Sequence, residues 1–452
     1  MALVAALVFV WGAVSARLER FDVTAPITFV LAGLVLTHGP LGVLGIAPSH
    51  EAVKVLAETT LVLVLFSDAS RVGFRDLRDE LGLCLRLLGI GLPLTIGLGM
   101  LLALALFGGI NIWLALLIGA ALAPTDAALG AGVMVNRAVP ARIRRLINLE
   151  SGLNDGIATP FVLVAVAGAG VAAHESGIGP GRAVAELALG LAVGVVVGGA
   201  GGWLVSVARR RDWVAEGFAG AAVLGLAVCA YASAVALHGN GFIAAFVGGL
   251  AFGSTAGRRG QPLVPFVEET GALVSLLVWL AFGAVAVAPM FEHLTWQLVV
   301  YAVLSLTVVR MVPVALALAG ARLGWPTTAF VGWFGPRGLA SVVFALIALE
   351  DLGEKAAGPA VSVITATVLL SVIAHGASAE PLARRYGAVT ARAAKRRDSG
   401  GLPEVPTRRL IRRARALGTE PAPDAEGAPG TEPAPGTEPA PGTEPAPPPV
   451  AG

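Results

Sequence analysis

Two short polar motifs sit inside runs that are otherwise almost wholly apolar. Ala123-Pro124-Thr125-Asp126 interrupts one run, and Glu150-Ser151-Gly152-Leu153-Asn154-Asp155 interrupts the next. Hydrocarbon penalises an ionised carboxylate heavily, so polar residues at such depth default to ion or proton pathways. On a helix, Glu150, Ser151, Asn154 and Asp155 fall within about 140° of arc, because positions i and i+4 share a face. Their oxygens can therefore converge on one point. A desolvated monovalent cation needs several hard oxygen ligands, and a site alternating between cation and proton needs a carboxylate. Asp155 suits that exchanging role. Thr125 offers its hydroxyl or, at a helix break, a freed carbonyl; Asp126 offers a further carboxylate or a cap for exposed N–H groups. The blander alternative is a buried polar network that fixes two helices to each other.

The elements that must position these residues are membrane spans. The chain has 452 residues, of which 56% are hydrophobic and only 14% charged, with a mean hydropathy of +0.79. Soluble domains carry roughly 25% charged residues, so this is the composition of an all-α polytopic membrane protein. A span needs roughly 20 apolar residues. Thirteen candidates follow: 1–16, 24–46, 51–70, 82–107, 111–134, 143–170, 183–208, 213–237, 241–256, 266–288, 295–320, 326–349 and 359–380. The two cysteines, Cys84 and Cys229, lie within apolar runs and read as packing residues. Span one has no Lys or Arg before it and has Arg17 and Arg20 after it, the reverse of a signal peptide.

Basic residues set the orientation. Alternate loops hold Arg17 and Arg20; Arg71, Arg75 and Arg78; Arg137, Arg142, Arg144 and Arg145; Arg209 to Arg211; Arg258 and Arg259; and Arg322. The intervening loops hold only Lys54, Arg182 and Lys355. Positive loops stay cytoplasmic, which places the N-terminus outside and the tail inside. Pro124 breaks span five and Gly335-Pro336-Arg337-Gly338 breaks span twelve. With span seven as a linker, these are the fifth helices of two inverted six-helix halves, an arrangement that points to a midplane site. The expected organisation is a transmembrane exchanger domain over 1–383, a basic cytoplasmic segment over 384–417, and a disordered Pro/Gly/Thr/Glu/Ala repeat over 418–452.

The run Leu122-Ala123-Pro124-Thr125-Asp126, the run Glu150 to Gly156, and Gly335-Pro336-Arg337-Gly338 together resemble the monovalent cation:proton antiporter family, in its NhaP/NHE-like branch. The resemblance covers all thirteen spans but not the tail. It implies an elevator-type transporter, usually a homodimer, that exchanges Na+ or K+, and sometimes Li+, for H+. It maps the ion and proton carrier to Asp155. Coordinating or neighbouring roles fall on Thr125, Asp126, Ser151 and Asn154, and Glu150 is expected to pair with an arginine on a later helix. Arg310, deep in span eleven, is the candidate partner, with Arg337 the alternative. Arg337 otherwise neutralises freed carbonyls or Asp126 at the break. Asn154 stands where some relatives carry a second aspartate, which predicts electroneutral exchange. The continuation Asp126-Ala127-Ala128 departs from the bulkier run of many relatives.

No phosphate-binding Gly-x-x-x-x-Gly-Lys-Ser/Thr loop is present, so no nucleotide cofactor is expected and the proton gradient supplies the energy. The expected partners are the transported cation and proton, the lipid bilayer and a second copy of the chain, with no nucleic acid. A passive channel would need a filter of clustered carbonyls or side-chain rings. An intramembrane enzyme would need a catalytic constellation; Asp126 and Asp155 imitate a dyad, but no histidine supports them. Among lower-ranked residues, Asp68 reads as interfacial, Arg86 as snorkelling, and His38, His238 and His375 as packing or loop-edge histidines. Gly190, Gly194, Gly198 and Gly202 recur every four residues, a stripe for close helix approach within the protomer.

Overall fold

In the computed structural model the described residues are 2–18, 24–38, 50–71, 81–126, 129, 133, 136, 138–172 and 180–399. Their regular structure is all helical, joined by turns and irregular backbone, with no strand among the described residues. Spans one to three are Ala2–Leu18, Ala25–His38 and His50–Ser70. Span four runs as Leu81–Arg86, a π-turn Leu87–Gly91 and Leu92–Leu106. Span five begins as Ile112–Ala121 and span six is Ala141–Ala172. Spans seven to ten are Pro180–Arg210, Glu216–Ala236, Gly241–Ala256 and Val264–Val285. Span eleven is split into Trp296–Leu306 and Val308–Ala317, and span twelve opens with Trp325–Trp333. The helix from Leu339 to Ser399 holds the rest of span twelve and all of span thirteen, separated at the non-helical Gly353.

Among the described residues, seven helices are long and apolar enough to cross a membrane on length and composition alone. The other spans miss that mark for visible reasons: spans one, two and nine are short at 17, 14 and 16 residues, span five and the first half of span twelve end at breaks, and span three carries Glu51, Lys54, Glu58 and Asp68. Ala127 and Ala128, the later part of span five, the loop residues Arg20, Arg75, Arg78 and Arg137, and the tail from 400 to 452 lie outside the described residues.

Two packing groups make up residues 1–393. In the first, span nine lies on spans three, seven and eight, and span ten lies on spans two and three. In the second, span five lies on spans four and six, and span eleven lies on span four and on the first half of span twelve. The glycine stripe of span seven explains the tightest contact of the first group. A Cβ at Gly190, Gly194, Gly198 or Gly202 would run into Asn240, Ala244, Gly248 or Thr255 of span nine or its leading turn. Glycine there lets backbones touch, so the stripe packs inside the protomer. Gly249 and Gly253 do the same against Phe66 and Ser70 of span three, and Gly33 against Leu280 of span ten.

Candidate functional site

Both breaks lie at one place, and each completes the other. The first half of span five ends at Ala121, leaving carbonyls at Ala123 and Pro124 with no helical partner. Nη1 of Arg337, from the break of span twelve, donates to both, at 2.7 and 3.1 Å. A cation at the carbonyl end of a helix also meets its negative dipole end. In return, Asp126 Oδ2 accepts the N–H of Leu339, the first residue of the second half of span twelve, at 3.0 Å. That is an N-cap supplied from another helix. The Asp126 N–H donates to Pro336 O at 2.8 Å, and the Ser341 hydroxyl donates to Ala121 O at 2.6 Å. Gly335 and Gly338 are glycines because a Cβ would strike Arg310 in the first case and Asp126 in the second.

Span six lies across this crossing. The Asn154 amide donates to Thr125 Oγ1 at 2.7 Å, and Thr125 Oγ1 lies 3.0 Å from Ser151 Oγ. Three of the four oxygen-bearing side chains on this face of span six thus meet the span-five break: Ser151 and Asn154 through Thr125, and Asp155 through its electrostatic proximity to Asp126. Asp155 is 7% exposed, and its Oδ1 finds no hydrogen-bond partner among the described residues; Asn154 Oδ1 is likewise unpartnered. Polar atoms so buried are ordinarily bonded. Unpaired, they form a set of hard oxygen donors, which fits a dehydrated monovalent cation.

Glu150 faces the other way. Arg310 Nη1 donates to Glu150 Oε1 at 2.7 Å, and each residue is 2% exposed. Arg337 is fully buried and committed to the carbonyls of span five. The structure therefore brings Arg310, not Arg337, onto Glu150, and assigns Arg337 to the freed carbonyls. Asp126 serves as a helix cap as well as a neighbour of Asp155.

Two lower-ranked residues take specific places. Asp68 faces span six, where a Cβ on Gly152 would lie 3.4 Å from its own Cβ, and it is within electrostatic reach of both Asp155 and Asp126. The clue in the sequence was a carboxylate within an apolar span, the same signal that marks Asp155. His375 is fully buried, with both ring nitrogens at hydrogen-bond distance of oxygens. Arg86 donates to Ala319 O at 2.8 Å, so its guanidinium also serves a helix end.

Comparison with known proteins agrees with this geometry. Residues 3–385 match the family profile described as sodium/hydrogen exchanger, transmembrane. An uncharacterized Na+/H+ exchanger of Mycobacterium bovis is 27% identical over 406 residues, covering 81% of this chain and 71% of its own. The K+/H+ antiporter NhaP of Alkalimonas amylolytica is 26% identical over 377 residues, covering 82% of this chain and 64% of its own. Among solved structures, the sodium proton antiporter MjNhaP1 of Methanocaldococcus jannaschii shares the fold with a TM-score of 0.67 at 19% identity, over 83% of this chain and 98% of that one. The broken spans, the crossed charges and the profile match over nearly the whole length lead to one assignment: this chain belongs to the transmembrane sodium/hydrogen exchanger family.

Proposed function

We propose that the chain is a secondary antiporter that exchanges Na+ or K+, with Li+ a further candidate, for H+ at Asp155. The observation that carries this reading is the buried, unpartnered Asp155 Oδ1, one residue along the helix from Asn154, whose amide holds Thr125 Oγ1 and whose own Oδ1 is also unpartnered. An isolated buried carboxylate is too costly to stay both ionised and empty, so Asp155 crosses the membrane holding either a proton or a cation. Thr125, Ser151, Asn154, Asp126 and Asp68 supply or orient the oxygens around it. Glu150 is paired with Arg310 and holds span six to span eleven. The glycine-packed group is the scaffold and the broken-helix group the carrier that alternates access. Span six passes the scaffold where Gly156 meets the Phe246 ring.

With Asn154 neutral and Glu150 paired, one exchanging carboxylate trades one cation for one proton, so exchange is electroneutral. The protein lies in the cell membrane as a homodimer, N-terminus outside and tail inside, and serves pH and cation homeostasis. Residues 1–383 form the exchanger domain, followed by a basic cytoplasmic segment over 384–417 and a Pro/Gly/Thr/Glu/Ala-rich repeat over 418–452. The test is purified protein in liposomes with an internal pH dye, challenged in turn with Na+, K+ and Li+. Cation-driven alkalinisation or acidification with at least one of them is expected. A passive cation leak without coupled proton movement would replace this reading with a channel.

A further inference from the structure

Span thirteen presents Ser371, His375 and Ser378 at i, i+4 and i+7, one face of a helix. All three engage the break of span twelve. The backbone N–H of Arg337 donates to Ser371 Oγ at 2.7 Å. Ser371 Oγ lies 3.2 Å from His375 Nδ1, and His375 Nε2 lies 2.9 Å from Trp333 O. That same carbonyl accepts the N–H of Gly335 at 2.8 Å. The Trp333 ring stacks on His375 with 5.1 Å between centroids, and its Nε1 donates to Ser378 Oγ at 2.9 Å.

Trp333 is the last residue of the first half-helix, and Arg337 stands two residues before the second. We propose that Ser371 and His375 are positioning residues for transport, forming a staple from span thirteen that joins the two lips of the broken helix. Ser371 Oγ accepts from the Arg337 N–H. Trp333 O can only accept, so His375 Nε2 carries a ring proton and donates to it. With Nδ1 unprotonated, the Ser371 hydroxyl donates to it at 3.2 Å; a proton on Nδ1 goes to Ser371 O, 2.9 Å away. The staple sets the distance from Trp333 to Arg337. It thereby sets the aim of Arg337 at the Ala123 and Pro124 carbonyls and of the Leu339 N–H at Asp126. Thr125 and Asp126 hold their places on span five through those bonds.

The inference rests on the antiport reading for its transport readout, and has a second readout that does not. Ser371→Ala removes one oxygen from a fully buried site and leaves the fold intact. In the liposome assay it raises the apparent KM for the cation several-fold, while the rate at saturating cation stays within about twofold of the parent, because Asp155 is untouched. Ser371→Thr keeps the hydroxyl and restores the KM. His375→Leu repeats the KM defect, and His375→Gln, which keeps an N–H for Trp333 O, relieves it. Independently of transport, hydrogen exchange in a peptide covering residues 334–342 quickens at least tenfold in Ser371→Ala and not in Ser371→Thr. If the parent moves no protons, the antiport reading fails, and the exchange measurement still decides the staple. Unchanged exchange and unchanged KM in Ser371→Ala, or an equal defect in Ser371→Thr, overturns the proposal.

Discussion

The two packing groups are held together by different chemistry. In the scaffold group, spans two, three, seven, nine and ten meet through glycines that bring backbone onto backbone. In the carrier group, spans five, six, eleven and twelve meet through buried charges that hold carbonyls, N–H groups and each other. The first arrangement gives close contact of backbone on backbone at its glycines. The second tolerates broken helices, because every freed backbone group that a neighbour can reach is given a polar partner. The unpartnered oxygens of Asn154 and Asp155 lie in the second. The lesson is that rigidity and chemistry are assigned to separate helices, and substitutions should separate them too.

The largest effect is expected at Asp155. Asp155→Asn should abolish cation-driven pH change in liposomes while leaving thermal stability near that of the parent, since the amide cannot cycle a proton. Residual exchange at the parent rate would move the carrier role to Asp68 or Asp126. Next comes the buried pair. Glu150→Gln or Arg310→Met alone should cost about 3–5 kcal/mol by leaving an uncompensated charge, and the double variant should recover part of the loss. Thermal unfolding in detergent reads this directly, and singles as stable as the parent would show that the pair carries no such burden.

In the glycine-packed group the effect falls on stability alone. Gly198→Val should cost about 1–3 kcal/mol by overpacking against Gly248, without changing the KM of the protein that still folds. Gly199, the next residue, faces open space, and Gly199→Ala should be neutral or stabilising by up to about 1 kcal/mol. Equal behaviour of the two glycine variants would deny that the stripe is a contact at all. The smallest effect is an expected absence. A clamped K+-valinomycin potential should leave the Na+ exchange rate unchanged, because a one-for-one swap carries no net charge across a field worth about 2.3 kcal/mol per charge per 100 mV. Strong dependence would mean that a second carboxylate titrates, with Asp68 first in line by position.

Much of this was legible in the residues. The apolar runs gave the spans, Pro124 and the Gly335–Gly338 run gave the breaks, and the period of four at Gly190–Gly202 gave a packing stripe. The cost of an unpaired guanidinium deep in span eleven singled out Arg310, and the family resemblance supplied Glu150 as its expected partner. What could not be read was which distant groups complete each other. Asp126 carries no mark of its bond to Leu339, and Ser371 none of its bond to Arg337, because such contacts depend on how helices cross and not on spacing within any one helix. Asp68 was undervalued for a related reason: three residues from Arg71, it looked like the end of a span, whereas span six passes beside it.

The crossed breaks also bear on how the protein is made. Arg337 and Asp126 serve partners 213 residues away along the chain. With elongation at roughly 5–20 residues per second, about 10–40 s separate the synthesis of one partner from that of the other. For that interval the Ala123 and Pro124 carbonyls lack the Arg337 guanidinium, and lipid does not accept bare carbonyls. The nascent chain must therefore stay beside water or the insertion machinery until span twelve arrives, and the ribosome's pace over the intervening helices becomes part of the folding of the site.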